Sequence, residues 1–300
     1  MTAVETLQPD DWLTAMSIAH AHVPAAQRIE RIGHGLQMLQ LGAIDPRGVF
    51  IARQAGGIVA VQVCVALGGA STLFWLPTTE DGVADALVQA GLDWARSNGC
   101  KIAQALAGRG DEPLMGPLIR RGFLGVTRLR QMVRDLTDLP YSSLELLQFA
   151  SYASVPPELF AATLNRTYEG TLDCPEMNDE RTIDDVVAGH KAQGAFHPDM
   201  WWLAYHGADP IGVIMLSQMP NGWMWELAYL GITAEWRGRG FGRSMAVHAM
   251  QTLRERGAFR LVLAVDERNT PALRLYESLG FVETESNLAL LYFLRREAQG

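Results

Sequence analysis

The chain has little cysteine, few basic residues for its acidic ones and no long apolar run. Its three cysteines, Cys64, Cys100 and Cys174, lack CxxC spacing, so neither a zinc site nor a disulfide framework is suggested. No apolar stretch approaches the roughly 20 residues a membrane span needs, and no membrane partner is expected. Lys and Arg number 25 against 33 Asp and Glu, a formal charge of −8. That balance argues against general nucleic-acid or anionic-membrane binding, because phosphate contacts need a basic surface, although a local basic pocket remains compatible with it. The first residues, Met-Thr-Ala-Val-Glu, lack the basic region and apolar run of a signal peptide, so a cytoplasmic location is expected. No low-complexity segment is present.

What the sequence does contain suits a compact protein with real cores: 48% hydrophobic and 19% charged residues. Three hundred residues are about twice a typical domain, so two domains are expected. The chain also repeats itself. At a constant offset of 158 residues, Gly82 falls on Gly240, Gly99 on Gly257, Pro113 on Pro271, Gly122 on Gly280 and Phe123 on Phe281. Gly and Pro punctuate turns and helix starts, and five such landmarks in one register point to duplication.

The repeated unit reads strand, loop, helix, strand, helix, strand. In the second copy a strand is predicted over Trp223–Ile232. A helix over Phe241–Arg256 carries its apolar stripe on Met245, Ala249, Met250 and Leu253 and stops at Gly257. Arg260–Val265 reads as a buried strand. Thr270 is placed to cap the next helix with Pro271 at its first position, and Leu288–Phe293 forms a last strand. Upstream, Trp201–His206 and Ile211–Ser217 flank a turn at Gly207-Ala208-Asp209-Pro210. The first copy offers a matching hairpin (Val49–Arg53, Ile58–Val65), a helix Val83–Ser97 and strands Ile102–Leu106 and Arg128–Leu136. Asp138-Leu139-Pro140-Tyr141 is the expected linker, which gives domains 1–140 and 141–300.

Arg237-Gly238-Arg239-Gly240-Phe241-Gly242 lies between a strand and a helix. Glycines there let backbone N–H groups approach a phosphate, the helix N-terminus adds partial positive charge, and the arginines add whole ones. The spacing is neither G-x-G-x-x-G nor a Walker motif. It does fit R-x-x-G-x-G, and downstream Asn269, Ala272, Tyr276, Gly280 and Phe281 fall on N-x-x-A-x-x-x-Y-x-x-x-G-F. Both segments resemble the GNAT (GCN5-related N-acetyltransferase) superfamily, and strand and helix order extends the likeness over most of 142–300. Two such units with one active copy resemble the architecture of mycothiol synthases. The fold class implied is α/β (α+β): two tandem GNAT-like domains, each a mixed, mostly antiparallel sheet flanked by helices.

The resemblance implies acetyl-CoA as cofactor and N-acetylation of a primary amine. Amides of Arg237, Gly238, Arg239, Gly240, Phe241 and Gly242 would hold the pyrophosphate, and backbone groups of Leu230 and Ile232 would meet the pantetheine arm as an added strand would. Asn269 would contact the cofactor near the pantetheine, and Tyr276 would give a proton to the departing thiolate. Glu226, at a spacing where several GNAT branches carry a general base, would take the amine's proton. Six residues separate it from Ile232, and simple strand alternation puts both on one face. Each residue also has a plainer reading: Tyr276 as a half-buried helix tyrosine, Glu226 as a solvated strand residue or an arginine partner, the two arginines as surface charges. His190 and His197 read as structural or surface residues, and nothing marks a partner that would make Cys174 a nucleophile.

At the same offset Arg237, Gly238 and Arg239 become Thr79, Glu80 and Asp81, while Tyr276 becomes Leu118, Asn269 becomes Asp111 and Glu226 becomes Gly68. Carboxylates now stand where phosphate would bind, so the first copy reads as a degenerate scaffold or specificity partner. In the family the acceptor is shaped by the segment before the hairpin, here 156–200. Residues 171–200 of it hold seven Asp and Glu against Arg181 and Lys191, either a solvated face or a lip that attracts a cationic amine. Tyr168 to Asp173 is a candidate acceptor loop. Three functions stay open: acetylation of a small-molecule amine, acetylation of a peptide or protein, and non-catalytic acyl-CoA sensing.

Overall fold

The computed structural model describes residues 4–139, 147–220 and 222–294. Two compact units result, one of residues 1–126 with 287–300 and one of residues 127–286. The first repeat supplies β1 (Val4–Thr6), α1 (Trp12–Ala19), α2 (Ala25–Gln40), β2 (Val49–Gln54), β3 (Gly57–Leu67), β4 (Ser71–Phe74), α3 (Gly82–Ser97), β5 (Ile102–Ala107), α4 (Glu112–Arg120) and β6 (Leu124–Asp135). The second supplies β7 (Gln148–Ser151), α5 (Pro157–Thr167), α6 (Ile183–Ala192), β8 (Ala195–His206), β9 (Asp209–Gln218), β10 (Met224–Ile232), α7 (Phe241–Glu255), β11 (Arg260–Asp266), α8 (Thr270–Ser278) and β12 (Val282–Phe293).

The repeat is visible in the element bounds. Helices α4 and α8 start and stop 158 residues apart, and so do strands β6 and β12. Strand order repeats as well, β1-β2-β3-β4-β5-β12 in the first unit and β7-β8-β9-β10-β11-β6 in the second. In both, hairpins give antiparallel pairs, a helix crossover makes one parallel pair (β4 with β5, β10 with β11), and the last strand returns antiparallel. A right-handed helix crossover is the ordinary way to bring two successive strands parallel.

The division differs from the expected one at 140/141. Strand β6 of the first repeat pairs with β11, Arg260↔Asp135 through Asp266↔Leu129, and β12 pairs with β5, Leu288↔Ala107 through Phe293↔Ile102. The terminal strands are exchanged, which no periodicity reveals because a strand's own pattern does not say which neighbour it pairs with. Of the expected linker, Pro140 and Tyr141 lie outside the described residues.

Each unit has its own core. In the second, the predicted α7 stripe of Met245, Ala249, Met250 and Leu253 is fully buried and packs with Ile214, Leu216, Trp225 and Leu227 on one face of the sheet. On the other face Phe160 and Leu164 of α5 pack with Trp201, Leu203, Val213 and Met215. In the first unit Leu290 of β12 is fully buried among Phe74, Leu87, Leu118 and Phe123.

If the strands are exchanged, a cavity cut into β12 must weaken the unit built from the N-terminal residues. Leu290→Ala is expected to cost about 2–5 kcal/mol. Hydrogen exchange followed by mass spectrometry should then show faster exchange in 102–107 and unchanged exchange in 260–266.

Candidate active site

The site begins where two parallel strands part. Strands β10 and β11 are in register only at Met224–Glu226 with Arg260–Val262. Beyond that point a β-bulge interrupts the pairing of β10 with β9 between Leu227 and Tyr229, leaving Ala228 as the extra residue. A bulge bends its strand and increases its twist, which carries Leu227–Ile232 away from β11. Between them opens a cavity of about 180 Å³ lined by Leu227–Ile232, Ala264, Val265, Asn269, Ala272 and Tyr276.

The bulge also changes which residues share a face. Glu226 lies opposite Ser217 and Ile232 opposite Gly212, positions of opposite parity on β9. Simple alternation placed Glu226 and Ile232 together; the extra residue puts them on opposite faces. Glu226 instead shares the α5 side with Tyr229, while Leu230 and Ile232 pack toward α7.

Two functional positions come from α8. Asn269, rather than Thr270, is the N-cap: its Oδ1 accepts from Ala272 N at 3.3 Å, and Pro271 occupies the second helical position. Tyr276 is buried, its ring 5.5 Å from that of Phe281, and it lines the cavity. Burial, then the charge of Asp173 and the neighbouring Tyr229, push its phenol well above the ordinary range, so the proton stays on at neutral pH.

Glycines shape the loop ahead of α7. Gly238 and Gly240 have φ of 74° and 84°, left-handed values that a side chain makes costly. Gly240 is the N-cap of α7, no side chain caps the helix, and its first turn holds no acid. The side chains of the loop are committed elsewhere. Phe241 is buried against Trp236 and His206. The Arg237 guanidinium donates to three carbonyls, Ile232 O at 2.9 Å, Gly170 O at 3.0 Å and Thr167 O at 2.8 Å. It thus ties the end of α5 to the end of β10, and the Arg237 N–H donates to Ala234 O at 3.3 Å, so a phosphate would meet the amides that follow it. Arg239 donates to Glu235 O and lies 4.8 Å over the Trp236 ring. In the first copy Asp81 caps α3 through its carboxylate, which accepts from Val83 N and Ala84 N at 3.0 and 3.3 Å. A built-in anion satisfies the amides that a phosphate would otherwise meet.

A second cavity, about 620 Å³, adjoins the first; both are lined by Gly170, Asp173, Ala228, Tyr229 and Ala264. The loop Tyr168–Asp173, expected to touch the acceptor, forms part of its wall with Asn178, Asp179, Arg181, His190 and Gln193. Glu226 lines neither cavity. Burial raises its carboxyl above the ordinary range, and the Gln193 side chain hydrogen-bonds to it and lowers it in part. His190, read from sequence as structural or surface, belongs to the cavity wall, and burial lowers its imidazole to about 4. Tyr229, absent from the sequence reading, bonds Thr167 Oγ1 at 2.7 Å, and burial first of all raises it to about 12. No motif marks it; its signal is only an aromatic in the strand that carries Leu230 and Ile232.

A latch of polar groups holds the loop that forms this wall. Asp266, fully buried at the end of β11, accepts from Thr127 Oγ1 at 2.6 Å, Cys174 N at 3.0 Å and Arg268 N at 2.9 Å, and from the Arg268 guanidinium. Arg268 reaches on to Glu176 at 2.6 and 2.9 Å, and Asp266 N donates to Asp173 Oδ1 at 3.2 Å. Burial alone would raise the Asp266 carboxyl; the hydrogen bonds from Arg268, Thr127 and Cys174 outweigh it and hold the group at about 2. Asp173, Cys174 and Asp266 bring one potential ligand atom each within 4.8 Å, but both Asp266 oxygens already serve the latch. Burial and the nearby carboxylates push the Cys174 thiol up to about 12, which makes it a poor nucleophile.

Residues 164–281 match the acetyltransferase (GNAT) family. Among curated relatives it is 33% identical to a mycothiol acetyltransferase of Thermobispora bispora over 57% of this chain and 60% of the relative. It is 31% identical to that of Thermomonospora curvata over 62% of this chain and 66% of the relative. The matches therefore span less than two thirds of either relative. Among solved structures, a GCN5-related N-acetyltransferase from Sphaerobacter thermophilus aligns over 99% of this chain and 97% of its own, with a TM-score of 0.66 at 16% identity. A tandem GNAT protein from the clavulanic acid biosynthesis pathway aligns over 99% and 100%, with a TM-score of 0.57 at 14% identity. These two share the fold.

Removing the latch should loosen the cavity wall. Asp266→Ala leaves the Cys174 amide and the Thr127 hydroxyl without their acceptor and is expected to cost about 3 kcal/mol. Because the folded-state pKa lies below the ordinary 3.8, at about 2, the group binds its proton less readily when folded. Its contribution of about 2 kcal/mol is therefore present above pH ~4 and is lost as pH falls toward ~2. Denaturant melts of wild type and Asp266→Asn across that window should converge as pH drops.

Proposed function

We propose that the second unit is an acetyl-CoA-dependent N-acetyltransferase that transfers its acetyl group to a primary amine of a small molecule by direct attack. The observation that carries this reading is the pair of adjoining cavities. One lies in the cleft between β10 and β11 beside an uncapped helix N-terminus, and the other is walled by polar and acidic groups. The first copy, whose helix is capped by its own Asp81, acts as a scaffold.

The chain's residues fit the cofactor in three respects. Main-chain groups of Leu230 and Ile232 lie on the stretch of β10 that is free of β11, where an amide-bearing arm can add as a strand does. Amides from Gly238 to Gly242, opened by two left-handed glycines, would meet a pyrophosphate with the helix dipole behind them. Asn269 stands at the mouth of α8 on the same cavity. When bound, acetyl-CoA supplies an activated acetyl thioester.

Tyr276 acts as the acid. Its buried, raised phenol holds a proton at neutral pH and gives it to the sulfur as negative charge develops there. The Arg237 clamp and the Asp266 latch position the acceptor loop around the amine. The relatives' name makes mycothiol-type acceptors the first to try, and a screen that also includes peptide amines distinguishes small-molecule from peptide acetylation.

Calorimetry should give one acetyl-CoA site per chain. Gly240→Asp should abolish it, since Asp strains a position at φ 84° and sets a negative charge where phosphate approaches. Tyr276→Phe keeps the ring and loses the proton donor. It should lower kcat by about 10²-fold or more, with acetyl-CoA affinity changed less than about twofold. Equal turnover of Tyr276→Phe and wild type on the same acceptor would remove the acid role from Tyr276.

A further inference from the structure

Both cavities meet on five residues, Gly170, Asp173, Ala228, Tyr229 and Ala264, and only two of these ionise. The Tyr229 hydroxyl is bonded to Thr167 and, raised to about 12, keeps its proton at neutral pH. Asp173 is therefore the one group at the junction that can accept a proton there. Its carboxylate is aimed by two contacts: Oδ1 accepts from Asp266 N at 3.2 Å, and Asp173 N donates to Thr171 Oγ1 at 3.1 Å. The loop that carries it is held from both sides, by the Cys174 amide on Asp266 and by Arg237 on Gly170.

We propose that Asp173 is the catalytic carboxylate for the acceptor, holding the substrate's ammonium group at the junction of the two cavities and taking its proton before attack. The proposal deepens the acetyl-transfer reading and rests on it. It moves the base from Glu226, where the family spacing places it, to a loop residue. Glu226 lines neither cavity and is bonded to Gln193, and a carboxamide does not relay protons at neutral pH.

The surroundings of Asp173 suit the task. Asp266 of β11, with Glu176 of its own loop, makes the site acidic, and Arg268 after β11 offsets this in part; the raised Cys174 thiol beside them stays neutral. Tyr276 from α8, Tyr229 from β10 and Tyr168 after α5 all feel its charge, and Arg181 lines the outer wall. Burial first, then the Asp266 charge, raise the Asp173 carboxyl above the ordinary range; the Asp266 amide and Arg268 lower it only in part. That shift brings its proton affinity closer to that of the amine, as a working base requires.

The proton count closes. An ammonium gives its first proton to Asp173, which passes it to solvent. The free amine forms the C–N bond, the C–S bond breaks as the tetrahedral adduct collapses, and Tyr276 protonates the sulfur. The second proton on nitrogen leaves through water and replaces the one lost by Tyr276. One amide, one thiol and one released proton result.

The test compares Asp173→Asn with Glu226→Gln in the full chain, using amino-acid amides, an amino sugar and tyramine as probe amines. Asn keeps an oxygen for the Asp266 amide. Asp173→Asn should lower kcat/KM for the amine about 10²-fold or more at pH 7, with recovery toward pH ~10 where amines are neutral. Its acetyl-CoA affinity should not change. Its Tm should hold or rise, because a carboxylate whose pKa is raised by folding costs stability when ionised; a merely structural residue would give a lower Tm. Glu226→Gln should lose less than about tenfold and show no rescue at high pH. Asp173→Asn within about threefold of wild type, or a pH-rescued loss in Glu226→Gln instead, overturns the assignment while leaving acetyl transfer standing. A wild-type chain that binds no acetyl-CoA overturns both.

Discussion

Everything at the site depends on β10 and β11 being paired for three residues and then parting. Paired along their length, the two strands would satisfy each other's backbone groups and leave no cleft. The extra residue at Ala228 prevents this, and the main chain of Leu227–Ile232 faces a cavity instead of a neighbour. The same bulge turns Tyr229 and Glu226 toward α5 and Leu230 toward α7. One inserted residue therefore decides which side chains of β10 face α5 and which face α7.

The two copies keep one fold and differ in how the start of one helix is satisfied. Both units have the same strand order and a helix starting behind the same glycine position. In one, Asp81 folds back on the first amides of α3; in the other, Gly240 leaves the start of α7 without a side-chain cap. The cap stabilises the first helix by about 1 kcal/mol, and it also occupies the helix end with a negative charge. Stability and anion binding draw on the same amides, so a helix start capped by its own carboxylate favours the first over the second.

Asp266 and Asp173 are neighbours whose environments drive them apart. The first is sunk among hydrogen-bond donors and stays ionised to about pH 2; the second, on the cavity wall, is desolvated with weaker compensation and holds a proton more readily. Two adjacent carboxyl groups separated in this way divide structural from chemical work, a pattern common in sites that run acid–base chemistry near neutral pH. The latch around Asp266 is what allows Asp173 to be presented at a cavity junction on a loop.

The sequence by itself determined much of this protein. The 158-residue repeat, the apolar stripe of α7, the glycine loop at 237–242 and the Asn269–Tyr276 spacing are local patterns, set by conformational freedom and helical periodicity within a few turns of chain. Leu230, Ile232, Asn269 and Tyr276, singled out from these patterns, line one cavity. Only the tertiary structure decided the rest. The exchange of β6 and β12 is invisible because pairing partners are chosen across the sheet and not within the strand. The face of Glu226 depends on a bulge, which periodicity cannot register once a single residue is inserted. The side chain of Arg237 was expected near a phosphate, but three carbonyls brought together by folding claim it. Asp173 stands at the site because residues some 90 positions along the chain, at the end of β11, hold its loop in place. Such contacts follow from which backbone groups folding leaves unsatisfied, and that is a property of the assembled unit rather than of any local stretch.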